Sequence, residues 1–304
     1  MLFGALGFSY DNMAPSRLAF ARSGLHSANL GDNMQTLAIR HLYQRLGVPA
    51  DRVVRIDRDS LRSYAGPSVV LPMNAVFHRN CFPLPPAISP LWIGFHANED
   101  TIARHRDWLA TQGLIGCRDP VTAAVLHSHG IAADVTGCLT FALPKRRTSP
   151  PAGRGRVIII HGQGAGALPG GALAAMPPDL LAGAEFLFQR REMTVWPLGT
   201  AEMDTNERIA GAILQRLRKR AVLVITPLHH AAAPAIAMGI PTVVVRREAS
   251  VRFGFMEGLL PVHLAPDFGA VDWNTAPVDL GGVRAAQWDR FRAAMAPYVS
   301  PPDA

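Results

Sequence analysis

The sequence predicts an α/β protein built as two Rossmann-like units with a cleft between them. Short apolar runs alternate with helix-period segments along most of the chain, the pattern of βαβ units around parallel sheet. That alternation breaks once, over 143–156 (LPKRRTSPPAGRGR), a Pro-, Gly- and charge-rich stretch that reads as a linker. At 304 residues the chain also exceeds what one core usually serves. The units are therefore expected at 1–145 and 146–304.

Element by element, LFGALGF (2–8) reads as the first strand. Met34, Leu37, Ala38, Leu42 and Leu46 recur at helical spacing and predict a helix over 33–46. RVVRI (52–56), SVVLP (68–72) and LWIGF (91–95) read as strands, followed by a polar helix over 99–112. LIGC (114–117) and ADVTGC (133–138) are strands flanking a helix over 120–129. Beyond the linker, strands are expected at 156–160, 185–189, 221–226 and 241–245. Helices are expected at 202–219 and 229–238. A last helix, over 283–295, is counted with the second unit but is free to return onto the first.

Composition sets limits on function. Apolar residues make up 49% and charged residues 17%, which excludes a mostly disordered chain. No apolar run spans the ~20 residues a membrane helix needs. The N-terminal MLFGALGFSYDN lacks a basic segment and a cleavage site, so a soluble cytoplasmic protein is expected. The net charge is +7, and Lys145 and Lys219 are the only lysines, so nearly all basic residues are arginines. Guanidinium forks suit phosphate and carboxylate, although a coding bias toward arginine is the simpler reading of the same composition. Cys81, Cys117 and Cys138 form no CxxC pair, so neither a disulfide framework nor a metal site is expected.

Ligands of such folds sit at the carboxyl ends of strands, where helix N-termini point. Three strand-to-helix junctions stand out. In SANLGDNMQTLAI (27–39), Asp32 and Gln35 have capping-box spacing, and Gly31 permits close backbone approach beside an anion-binding helix start. In GCRDPVTAAVLHSHG (116–130), Asp119 before Pro120 reads as a structural cap. Arg118 falls beside a positive helix dipole, where two like-signed features favour an anion. His127 and His129 are two residues apart, share no helix face and make no metal pair. In VLVITPLHHAAAPAIAMGIPTVVV (222–245), His229 and His230 open an alanine-rich helix that must pack closely. A histidine there works near neutrality, or is simply a polar first-turn residue. HGQGAGALPGG (161–171) matches G-x-G-x-x-A loosely, but Pro169, Gly170 and Gly171 argue against a helix opening there, so it reads as an inter-unit loop.

Together the junctions resemble the polysaccharide pyruvyl transferase family. The residues that carry the resemblance are Asn29-Leu30-Gly31-Asp32, then Arg118-Asp119 with Leu126 and Gly130-Ile131. Thr226-Pro227-Leu228-His229 and Gly239-Ile240-Pro241 complete it, in order over residues 27–245. The resemblance implies a GT-B-like arrangement, phosphoenolpyruvate as donor substrate and no cofactor. The acceptor it implies is a glycan or lipid-linked oligosaccharide, reached by peripheral contact with the inner membrane face. His229 would be the acid or base, not His230, with Arg118, Asn29, Gly31, Asp32, Thr226 and Leu228 binding substrate. Pro227 stands where the family has an arginine, and Arg220, Arg246, Arg247 and Arg252 are candidate substitutes. Competing readings are a sugar-nucleotide-dependent glycosyltransferase of the same architecture and an inactive relative. A third, a non-catalytic binder of nucleic acid or anionic glycan, lacks any nucleic-acid motif or aromatic platform, so no nucleic-acid partner is expected.

Overall fold

The structure is a computed structural model that describes residues 1–11, 27–151 and 153–299. It is mixed α/β with parallel sheets. In the first sheet β1 (Leu2–Gly7) lies between β3 (Val53–Asp57) and β4 (Val69–Pro72), with β6 (Ile88–Leu91) beyond β4. The parallel order is carried further along the chain by β5 (Val76–Phe77) on β7 (His96–Ala97). A bridge from Phe95 to Cys117 then leads to β8 (Ile115–Cys117) on β9 (Ala133–Val135). The run expected as one strand over 91–95 is instead the bend between β6 and β7. Gly94 turns there with φ +76°, and a Cβ on it would lie 2.1 Å from Asn74 Oδ1. The helix expected over 99–112 is two, α2 (Glu99–Arg104) and α3 (Arg106–Ala110), broken at His105. α4 (Pro120–Ser128) starts on Asp119, whose carboxylate accepts from Thr122 N at 2.9 Å.

The second sheet runs β11 (Glu185–Phe188), β10 (Arg156–His161), β13 (Ala221–Thr226), β14 (Thr242–Arg246), β15 (Val262–Leu264), all parallel. Sheet membership changes between β9 and β10, across the expected linker, of which Ala152 lies outside the described residues. After β10 a helix does open at Gly170, contrary to expectation: α5 (Gly170–Ala175), followed by α6 (Pro178–Ala182). Pro169 occupies the cap, where a missing N–H costs nothing, so the proline starts this helix and does not block it. α7 (Thr200–Arg220) and the wholly buried α8 (His229–Ala237) flank β13, and α9 (Gly254–Glu257) follows β14.

Two elements tie the sheets together. β2 (Ser27–Asn29) pairs antiparallel with β12 (Arg190–Glu192), which follows the second sheet's edge strand. Directly after it, α1 (Leu30–Arg45) serves two cores from two faces. Leu30, Met34 and Ala38, four residues apart, pack with Ile158, Ile160 and Ala210. Ile39, Leu42 and Tyr43 pack with Phe3 and Val70. The closing helix α10 (Gly281–Met295) crosses back to the first sheet, where Phe291 and Met295 join that same core. Arg45 caps the contact, 3.7 Å over the Trp288 ring. Helical periodicity reports only that α10 has an apolar face and not which sheet receives it, hence its assignment with residues 146–304. Among the described residues, no helix is long and apolar enough to cross a membrane.

Candidate active-site cleft

The three junctions converge. Arg118 follows β8, which pairs with β9 outside the first sheet, while Pro227, Leu228, His229 and His230 follow β13 of the second. They line one cleft of about 360 Å³ together with Asn29, Gln189, Arg246 and Arg252. Strand ends from the β8–β9 pair and from the second sheet therefore open into one space beside two helix N-termini, those of α1 and α8.

At α1 the cap is Asn29, not Asp32. Its side chain accepts from Gly31 N at 3.1 Å and its Nδ2 donates to Asp32 Oδ1 at 3.1 Å. A cap must sit outside helical backbone, and Asn29 does (φ −86°, ψ 106°), whereas Asp32 is already in the first turn. Burial pushes the Asp32 carboxyl above its ordinary range, against the guanidinium groups of Arg58, Arg252, Arg190 and Arg118. Gln35 does not reach back to the helix start as a capping box requires. Its Oε1 accepts from Arg118 Nη2 at 2.6 Å, across to the other junction. Gly31 permits close approach, though to protein: a Cβ there would lie 2.2 Å from Gln189 Nε2 and 2.8 Å from His230 Cβ.

At the second junction Arg118 is 1% exposed, yet its Nε has no hydrogen-bond partner. Its neighbour Asp119 is fully engaged, with Oδ2 2.7 Å from His96 Nδ1 and further bonds to Thr122. Those bonds hold the Asp119 carboxyl below its usual range although burial pushes the other way.

At the third junction Thr226 is buried and does not line the cleft. Its hydroxyl donates to Ile160 O (2.7 Å) and accepts from Leu228 N (3.0 Å), so it shapes the turn. α8 begins at His229 without a side-chain cap. Both His229 ring nitrogens and His230 Nε2 are buried without partners. Burial first, then the charges of Arg118 and Arg252, push His229 well below an ordinary histidine, and Asp119 opposes only weakly. His230 is lowered as well, by burial and by its neighbour His229. Both imidazoles are thus neutral at pH 7.

Pro227 brings no charge, but its carbonyl accepts Arg246 Nη1 at 2.5 Å and so fixes a guanidinium at the cleft wall. Arg246 also donates from Nε to Glu248 O and lies 4.5 Å over the Phe253 ring. Of the four candidate substitutes for the missing motif arginine, Arg246 and Arg252 line the cleft. Arg220 pairs with Glu185 at 3.0 Å, and Arg247 faces a separate cavity beside Phe268.

Larger cavities occur among the described residues, about 680 Å³ beside α10 and about 610 Å³ beside α5. Size favours them, but chemistry does not. Their linings hold one unpartnered buried side-chain atom, Gln287 Oε1, whereas the cleft holds Arg118 Nε, Gln189 Oε1, both His229 nitrogens and His230 Nε2. Buried polar atoms normally have partners, so a cluster without them marks a place for a ligand.

Sequence reasoning missed Gln189, and it carried Arg246 and Arg252 only as two of four candidate substitutes for the motif arginine. Gln189 follows a short edge strand with no helix behind it, so no junction signal marks it. Nothing local in the sequence sets these two arginines apart from Arg220 and Arg247. Comparison with protein-family models, curated proteins and solved structures returned no match to this chain.

Proposed function

We propose that the chain is a pyruvyl transferase: it takes the enolpyruvyl group of phosphoenolpyruvate onto two hydroxyls of a glycan or lipid-linked sugar. The observation that carries this is the cluster of unpartnered atoms in the cleft, Arg118 Nε and both nitrogens of the neutral His229 among them, in a lining that Arg246 and Arg252 share. A multiply anionic, compact ligand supplies the missing acceptors, and three guanidinium groups with the uncapped start of α8 supply the compensating charge. At about 360 Å³ the cleft is near the small end of ligand pockets, which favours phosphoenolpyruvate over a sugar nucleotide. The GT-B-like arrangement implied by the family resemblance would likewise feed a site with strand ends from both halves of the chain, as β8 and β13 do here.

In this reading Arg118 grips the donor, and Arg246 and Arg252 neutralise its second anionic group. His229, being neutral, takes the proton of an attacking hydroxyl, so it acts first as a base. The first hydroxyl oxygen bonds to C2 of the donor while C3 gains a proton. The second hydroxyl then bonds to C2 as the C2–O bond to phosphate breaks. The two hydroxyl protons are accounted for: one ends on C3 as a methyl hydrogen and one leaves with phosphate.

A thermal-shift screen with phosphoenolpyruvate, UDP- and GDP-sugars and short DNA tests the reading. Phosphoenolpyruvate at 100 times its Kd should stabilise the chain by about 2.7 kcal/mol. Stabilisation by a sugar nucleotide or by DNA, with none from phosphoenolpyruvate, would replace it.

A further inference from the structure

The cleft offers hydrogen bonds unequally. Arg118, Arg246 and Arg252 can only donate, and each neutral imidazole brings one donor and one acceptor. Gln189 Oε1 can only accept, and it is buried in the cleft wall without a partner, on a residue 1% exposed. Ionised phosphoenolpyruvate carries acceptors alone, so the donor cannot satisfy this oxygen.

Gln189 is also firmly seated. Its N–H donates to His161 O at 2.8 Å, and its carbonyl accepts from Leu30 N at 3.2 Å, joining the end of β10 to the first residue of α1. Its amide nitrogen occupies the space that any Cβ on Gly31 would fill. Gly31, whose motif suggested a ligand contact, thus makes room for the amide group of a residue that lines the cleft and whose Oε1 is left without a partner.

We propose that Gln189 Oε1 binds a hydroxyl of the second substrate and selects for an uncharged polyol at that point of the cleft. The proposal rests on the transferase reading above, since it takes the anion subsites to be filled by the donor. Gln189 is a specificity-determining residue here: it holds the hydroxyl's proton in a hydrogen bond and takes no part in bond making. An aldehyde, ether or ester in place of the hydroxyl would leave Oε1 unpaired and be rejected.

Three probes separate the outcomes without a known acceptor: phosphoenolpyruvate, 2-phospholactate and 2-phosphoglycerate. The last two share a carboxylate and a phosphate and differ by one hydroxyl. Calorimetric titration of the wild-type chain should show 2-phosphoglycerate bound roughly fivefold more tightly than 2-phospholactate. Gln189→Met, similar in length and unable to accept strongly, should abolish that preference while leaving phosphoenolpyruvate affinity within twofold. Gln189→Glu keeps an accepting oxygen, so all three affinities should fall together with the preference retained. The proposal is overturned by a wild type without the preference, by a Met variant that keeps it, or by a Met variant that loses all three probes equally. A wild type that binds none of the three overturns the transferase reading itself, and this proposal with it. Loss confined to the Gln189 pattern leaves that reading standing.

Discussion

Arg118 and Asp119 are joined by one peptide bond and are almost equally buried, yet they belong to opposite kinds of environment. On the Asp119 side, His96, Thr122 and the start of α4 use the carboxylate completely. On the Arg118 side, a guanidinium nitrogen, two imidazoles and an amide oxygen face a cleft with bonds unmade. Unpaired buried polar atoms cost roughly 1–3 kcal/mol each, and a fold retains them only where something offsets the cost. Saturation therefore marks Asp119 as scaffold, and the clustering of unmade bonds beside Arg118 marks the place for a ligand.

The strongest challenge to that contrast comes from His229. His229→Ala should lower ketal formation and phosphate release by roughly 10²-fold or more, while the urea midpoint barely moves. His230 is turned about 100° around the helix axis, so His230→Ala should affect turnover far less. Equal losses in the two variants would mean that the pair acts as one polar wall.

On the saturated side the effect should fall on folding instead. Asp119→Ala removes the α4 cap and leaves His96 and Thr122 without their shared partner, a loss of about 2 kcal/mol in urea unfolding. Phosphoenolpyruvate affinity of the folded variant should stay within twofold. Arg118→Lys should do the reverse: it keeps the charge and loses the fork, so affinity drops about tenfold with little change in stability. Calorimetry and urea unfolding on both variants would expose any crossing of these effects.

The sequence made the three junctions legible because each couples a strand end to a helix start, and both leave local signals. It placed Arg118 and His229 at helix openings, and the resemblance put both at one cleft, but the element that joins the two sides, α1 packed into two cores, was not legible. It also misassigned a cap. Asp32 and Gln35 fit the capping-box spacing, but Asn29 three residues earlier competes for the same role, and the backbone takes the helix back to Leu30. Gln189 stayed hidden, and Arg246 stayed one of four candidates, for a different reason. Their roles come from what they lack or touch across 19 to 158 residues of chain, as with Arg246 on Pro227 and Gln189 beside Gly31. Gly31 was legible as a position of close approach, but its neighbour was not.

The smallest effect is the one that acidity should produce. Burial lowers His229 and His230, so in the folded chain both stay neutral below pH 6.5, where an unfolded histidine takes up a proton. The unfolded state then binds more protons, and stability is fully present above that range and lost as pH falls through it. From pH 7.5 to 6.5 this amounts to about 0.4 kcal/mol per histidine, steepening below. His41, His96 and His263 are lowered too and add the same sign, while Asp32, raised by burial, opposes it at lower pH. Asp119, held below its usual range, contributes only once the pH nears the ordinary carboxylate range. Urea midpoints across pH 5.5–7.5 should therefore slope downward toward acid, and the double variant His229→Gln, His230→Gln should flatten the slope more than His263→Gln does. A bound dianion stabilises the imidazolium form, so saturating phosphate should also flatten it for the wild-type chain. It should leave the double variant unchanged. If phosphate flattens both equally, the cleft histidines are not where the anion sits, and the contrast between the two sides of the Arg118–Asp119 peptide bond loses its chemical meaning.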